Sequence, residues 1–368
     1  MIKKLLFISG LVGCMNSSYS QYEKVSLGNE KMVLQMELHN SAISEFRFKD
    51  GGLNPLSWVL PKDRMPTTHI ESPSFRGHFM ALGNWAMPGE GEEEAGIVVY
   101  GGVNTHKWEI LQSAKKRLEG VYLKTACTTG MEGLRIERET LLHKGRSVVE
   151  IQERITNLLP IGRAYQFLQH PTIGPPFLDE HLVVNSNASK GFFNRGPFAE
   201  DRIDIPEEDI YDWPLARLAE GEHNLEKTLG YGEGFLSTHI FPDSATHGWV
   251  TAYNPKQNLL IGYVFSAKDY PWIHFWQRST DGVLEARAFE FANVGISEPI
   301  RDLVTSHSHF YGRPSIEFLD AGESQHKSYF MFLWKPPQDL LRIKDVSVLD
   351  KEVRISFETN QGEESVTL

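Results

Sequence analysis

Residues 150–178 read EIQERITNLLPIGRAYQFLQHPTIGPPFL. The apolar run Val148–Ile155 leads into a strand that ends at Thr156-Asn157, where turn residues begin. A second strand then runs into Gln169-His170-Pro171. Proline has no N–H to donate, so Pro171 is expected to break this strand and leave the His170 imidazole at an edge. Gly174-Pro175-Pro176-Phe177 opens a loop where a ligand can approach. Strand, short turn, strand, loop is the unit of an antiparallel sheet.

The same reading extends in both directions. Met32, Leu34, Met36 and Leu38 alternate with Val33, Gln35 and Glu37, a period of two. Phe46 and Phe48 alternate before the turn Asp50-Gly51-Gly52. Further apolar runs bounded by turn residues lie at 96–100, 134–142, 248–252, 259–265, 273–276, 286–291 and 328–334. Residues 343–359 read as a pair of strands around Asp350-Lys351. Helical signals are weak: 206–220 could form a short helix, but Pro214 interrupts it. Strand after strand without intervening helices predicts an all-β fold, a large antiparallel β-sandwich.

Composition agrees. The 368 residues are 40% hydrophobic and 23% charged, which suffices for a large core and excludes a disordered or fibrous chain. The formal charge is -11 and no basic stretch stands out, so a nucleic-acid partner is not expected. Lys3 and Lys4 followed by the apolar Leu5–Val12 read as an export signal over residues 1–20, cleaved after Ser20. Leu11-Val12-Gly13-Cys14 offers an alternative, a lipobox with a lipid anchor at Cys14. In either form the mature protein is expected in the bacterial envelope, periplasmic or anchored. The apolar run is too short for a membrane span. Only Cys14 and Cys127 occur, so the mature chain has no internal disulfide, and Cys127 is expected to be a small buried hydrophobe. Residues 21–368 are expected to form one domain, with 343–359 as an appended strand pair.

Several short motifs carry nothing. Gly230–Gly234 is glycine-rich but opens no helix. His307 and His309 alternate as metal ligands do, yet no third ligand accompanies them. Glu90, Glu92, Glu93 and Glu94 make an acidic loop of the ordinary solvated kind. No Gly-x-Ser-x-Gly elbow is present.

The His170 segment resembles that of the aldose 1-epimerase (galactose mutarotase-like) superfamily, in which a strand ending in Thr-Asn is followed by a strand carrying a catalytic histidine. Other segments are similar in the same order. Phe75-Arg76-Gly77-His78 resembles an arginine-containing segment, and Gly101–Trp108 a Gly/His segment that lines the sugar site. Phe275-Trp276, then a turn at Asp281-Gly282, leads to Arg287-Ala288-Phe289-Glu290-Phe291, like a strand bearing a catalytic glutamate. The resemblance covers residues 30 to about 335. Two departures stand out: His106 follows Asn-Thr rather than Gly, and the usual Asn-His pair is Gln169-His170.

The resemblance implies a large sandwich and a cofactor-independent enzyme that opens and recloses the hemiacetal ring of a carbohydrate. A base removes the anomeric proton while an acid protonates the ring oxygen, work suited to a carboxylate and an imidazole. Glu290 is assigned as base and His170 as acid. Arg76, His106 and, with a weaker claim, His78 are assigned to substrate hydroxyls, and Trp276 to the cavity wall. The plain alternative for Glu290, flanked by Phe289 and Phe291, is an outward-facing strand residue. Two other functions compete: a carbohydrate-binding protein without catalysis, and a polysaccharide lyase using Tyr165 or Tyr311 with Arg76. A hydrolase would need a second carboxylate comparable to Glu290.

Overall fold

The computed structural model describes residues 23–40, 42–64, 75–194, 205–218, 221–228, 234–306 and 309–368. The export segment with Cys14, the glycine-rich residues 230–233 and His307 lie outside the described residues.

Two antiparallel sheets stack face to face. The larger has eleven strands. Its path runs through Lys24–Gly28, Met32–Glu37, Ile43–Phe48, His78–Gly83, Arg163–Ile173, Val283–Ala292, Trp272–Thr280, Gly234–Ile240, Lys190–Phe193 and Tyr211–Asp212, and Glu317–Leu319 pairs with Arg163–Ile173. The smaller has eight, in the order Val183–Ser186, His247–Asn254, Leu259–Ser266, Ser324–Trp334, Val148–Asn157, Leu134–His143, Gly120–Thr129 and Glu109–Lys116. Period-two alternation sends Leu34, Met80, Phe167 and Phe291 from one sheet, and Leu123, Ile136, Ile151 and Met331 from the other, into a shared core. The all-β sandwich expected from the sequence is the fold observed.

A polar network crosses this core. The fully buried Arg138 donates from Nε to Glu153 Oε1 at 2.8 Å. Gln169 donates its amide to Glu153 Oε2 at 2.8 Å and accepts from His78 Nε2 at 3.1 Å. Gln169 belongs to the larger sheet and Glu153 to the smaller, so the two layers are tied by directional bonds as well as by apolar packing.

Three local expectations need correction. Pro171 does not end its strand, and His170 is not at a sheet edge: Arg163–Ile173 runs unbroken between His78–Gly83 and Val283–Ala292. The ladder to Val283–Ala292 is interrupted at Phe289-Glu290, opposite His170-Pro171, so the missing N–H falls where no partner is needed. Of the residues 206–220 expected to hold a short helix, the described ones, 206–218, form none; a 3₁₀ turn at Glu207–Asp209 precedes short strands at Tyr211–Asp212 and Leu215–Leu218. The C-terminal pair is one of three strands, Leu340–Leu349, Glu352–Thr359 and Gly362–Thr367. Asp350 and Lys351 both take positive φ in the first hairpin turn. This sheet packs Ile343, Val346, Ile355 and Phe357 onto Trp249, Leu260, Val264 and Phe332, the outer face of the eight-stranded sheet.

Helices are few and short; the acidic loop contains Glu90–Glu94, and Ile300–Ser306 forms another. Among the described residues no helix is long and apolar enough to cross a membrane.

Candidate active site

The outer face of the larger sheet carries His170 and Glu290. On Arg163–Ile173, inward residues Phe167 and Gln169 alternate with outward Leu168, His170 and Thr172. On Val283–Ala292, Phe289 and Phe291 point inward and Glu290 outward. The register sets Ala288 opposite Thr172 and Phe291 opposite Gln169, so Glu290 and His170 occupy facing positions on neighbouring strands. His170 Nε2 lies 3.2 Å from Glu290 Oε1, and both side chains are about 95% buried or more.

Hydrogen bonds define the tautomer. The Thr172 hydroxyl donates to the His170 carbonyl at 3.3 Å, so Thr172 Oγ1 is free to accept from His170 Nδ1–H at 2.9 Å. That leaves the Nε2 lone pair facing Glu290. Burial pushes the Glu290 carboxyl up to about 8 and the imidazole down to about 3. At neutral pH the proton of the pair therefore sits on Glu290 and is donated to His170: a neutral acid beside a neutral base. Glu290 Oε2 is buried without a hydrogen-bond partner.

A cavity of about 460 Å³ opens over this pair, within the size range of small-molecule sites. Phe79 stacks on the His170 ring at 4.1 Å, and Tyr100 and Trp276 meet it edge-on at 5.7 and 6.1 Å. Trp58 stands edge to face against Trp276. Tyr100 is held at φ 62°, unusual for an aromatic residue. Its carbonyl accepts from Leu82 N and Asn104 Nδ2, and Gly101 after it also has positive φ. Burial and the neighbouring Glu290 push the Tyr100 hydroxyl well up, keeping it a neutral donor. Arg64 and Arg278 also line the cavity, and Glu285 bridges them: Arg64 donates to both of its oxygens, at 2.6 and 3.2 Å, and Arg278 Nε is 3.6 Å away.

The structure thus brings His170, Glu290 and Trp276 together and places the other three residues elsewhere. Arg76 pairs with the buried Glu37 at 3.0 Å. His78 is one residue out of phase with Phe79; it points into the inter-sheet core, between Gln169 and Tyr329. His106 is exposed, and its Nδ1 bonds to the Gly102 carbonyl at 2.7 Å. The hydroxyl-binding roles expected of Arg76, His78 and His106 have no place at this cavity. Their segments contribute Phe75, Phe79 and Tyr100 instead. Tyr165, considered for a lyase, bonds to Glu317 and Gln325 outside the cavity, and Tyr311 is exposed.

Sequence reasoning missed Tyr100, Trp58, Arg64, Arg278 and Thr172. The hydroxyl two residues after His170 was a usable signal, because i and i+2 share a strand face. Arg278 carries the same signal, two residues after Trp276 on the strand Trp272–Thr280, whereas Tyr100, Trp58 and Arg64 come from segments between strands whose path over the sheet has no periodic signature. His274, opposite Glu290, is a structural histidine: Nδ1 accepts from Thr238 at 2.8 Å and Nε2 donates to Val294 O at 2.9 Å, leaving no nitrogen for chemistry.

No family model matches the sequence, and no curated protein matches it. Solved structures do resemble it. A galactose mutarotase-like protein from Clostridium acetobutylicum superposes with a TM-score of 0.62 at 12% identity, over 86% of this chain and 96% of that one. One from Lactobacillus casei gives 0.57 at 12% identity, over 85% and 100%. A TPR-domain containing protein from Parabacteroides distasonis gives 0.56 at 12% identity, over 89% of this chain and 49% of the other. At these identities the likeness establishes the fold: this chain has the galactose mutarotase-like sandwich that its sequence resembles.

Proposed function

We propose that the cavity interconverts the anomers of a sugar by opening and reclosing its hemiacetal ring. The observation that carries this reading is the His170 Nε2–Glu290 Oε1 contact of 3.2 Å at the floor of an aromatic-walled cavity. A ring inserted over the pair would meet both groups, with Trp276 and Trp58 available to pack on its apolar faces.

The resting protonation reverses the order of roles expected from sequence. Neutral His170 takes the anomeric hydroxyl proton at Nε2 while protonated Glu290 gives its proton to the ring oxygen. The C1–O5 bond breaks and C1 becomes a carbonyl. Rotation about C1–C2 follows, and reclosure returns both protons, now from imidazolium and to carboxylate. Over the full cycle each group serves once as acid and once as base. The cavity buries the transient ion pair, whose mutual attraction strengthens as water is excluded.

Fold likeness cannot by itself assign chemistry, so the test must read it directly. Anomeric exchange of free sugars, followed by NMR saturation transfer, is expected with the native chain. Glu290→Gln and His170→Asn should each slow it by roughly 10²–10⁴-fold. Binding without exchange would mark a carbohydrate-binding protein, and unsaturated products from a polysaccharide a lyase; either result overturns the proposal. The export expected from the N-terminal segment would place this activity in the cell envelope.

A further inference from the structure

A second concavity, of about 560 Å³, lies at one end of the sandwich and shares no residue with the cavity above the histidine. Its walls are the hairpin joining Glu109–Lys116 to Gly120–Thr129, the turn after Leu134–His143, the turn after Ile43–Phe48 that carries Lys49, and the segment after Lys24–Gly28. A backbone bond from Arg117 N to Gly120 O closes the hairpin tip, and one from Lys144 N to Glu119 O ties it to the neighbouring turn. The buried Asn29 side chain donates to the carbonyls of His143 and Arg146, at 2.6 and 2.7 Å. The shape is therefore built by the fold.

Its charge is out of keeping with the chain. Lys49, Lys116, Arg117 and Lys144 line it, against Glu30 alone, although the whole chain carries a formal charge of -11. Ion pairs hold Lys and Arg side chains over much of the remaining surface, from Lys24–Glu37 to Lys351–Glu150. None of these four cations lies within ion-pair distance of a carboxylate among the described residues. Glu30 is already engaged, accepting from Gly145 N at 2.9 Å. Lys49 donates to the Asn29 carbonyl, and Arg117 donates to Gln112 and lies over the Tyr122 ring, contacts that hold these side chains without cancelling their charge. Four like charges around one hollow repel one another, and a counter-charge inside it relieves that repulsion.

We propose that this cleft is a binding site for a compact polyanion carrying clustered sulfate or phosphate groups. Three of the four cations are lysines, point charges that suit tetrahedral oxyanions; planar carboxylates favour the forked guanidinium. A single monovalent anion would leave most of the field unbalanced and be screened at physiological salt. No aromatic ring lines the cleft to stack a nucleobase, which disfavours a nucleic acid. Its concavity favours a small ligand over a flat membrane surface, although Leu118 stands 87% exposed at the lip.

The test is calorimetric titration of the full chain at 150 mM salt with two probes, sucrose octasulfate and inorganic tripolyphosphate. Saturable binding of at least one is expected. Lys116→Gln/Lys144→Gln, at exposed positions, should weaken it at least tenfold. Lys335→Gln removes a cation outside the cleft and should leave binding unchanged. The tighter probe identifies the sulfate or the phosphate class. Absence of binding, or equal binding by the double variant, overturns the proposal. So does adsorption to phosphatidylserine vesicles without binding of either soluble probe. Anomeric exchange measured on the same variants should be unaltered, so failure here and failure of the sugar reading are separable.

Discussion

At the scale of single residues, the His170–Glu290 pair is governed by desolvation. Glu290 keeps its proton in the folded chain to about pH 8, whereas an unfolded glutamate has released it near 4.5. Between those values the folded state binds more protons, so this group makes stability fall as pH rises. His170 acts in the opposite sense: lowered to about 3 from 6.5, it contributes stability that is complete above 6.5 and lost as pH falls toward 3. From pH 6.5 to 8 only the Glu290 effect operates. The melting temperature of Glu290→Gln relative to native should therefore climb across that window; parallel curves would contradict a protonated Glu290. On the proposed mechanism, anomeric exchange by the native chain should also decline above about pH 8, as the acid form disappears. Thr172 is a positioning residue, fixing the tautomer through Nδ1. Thr172→Val should slow exchange roughly tenfold or more and Thr172→Ser should restore it, with substrate affinity little changed in both.

At the scale of elements, the cavity depends on how the 75–106 segment lies against the sheet. Gly101 has φ 76°, and a Cβ there would sit 1.9 Å from the Leu82 carbonyl oxygen. Neither the backbone angle nor the space admits a side chain. Gly101→Ala should cost about 1–3 kcal/mol in urea unfolding and, by displacing Tyr100, should weaken sugar binding as well. A substitution of the open Gly91, where a Cβ meets nothing within 4 Å, is the matched control. Period-two alternation makes most strands legible in the sequence, including the outward parity of Glu290 between Phe289 and Phe291. It does not reveal that His78 lies out of phase with Phe79, because strand boundaries and pairing must be known before parity acquires a direction. Pro171 misled for a related reason: whether a missing N–H disrupts a strand depends on which neighbour that position faces.

At the scale of the whole molecule, the Arg138–Glu153–Gln169 network ties the two layers directly beneath the strand that carries His170. Removing one charge strands the other in the core. Arg138→Met should destabilise the chain by about 3–5 kcal/mol in urea unfolding, and the double variant Arg138→Met/Glu153→Leu should recover a large part of that loss. If the double variant is no better than the single one, the penalty lies in packing rather than in an unpaired charge. The C-terminal three-stranded sheet covers Trp249 and Phe332 and so shields an apolar sheet face from water, an assembly for which the sequence showed only two of the three strands.

The strand-rich sandwich, the two residues at the heart of the candidate site and their likeness to one superfamily all follow from the linear chain. They rest on local periodicity and on motif order, both of which are written along it. Folding alone establishes that His170 and Glu290 touch, that burial places their shared proton on the carboxylate, and that Tyr100, Arg64 and Arg278 replace Arg76, His78 and His106 around them. It also gathers four cations from three separate turns into one cleft. Contact, desolvation and convergence are properties of positions distant in sequence, and they come into being only when the sheets close on each other.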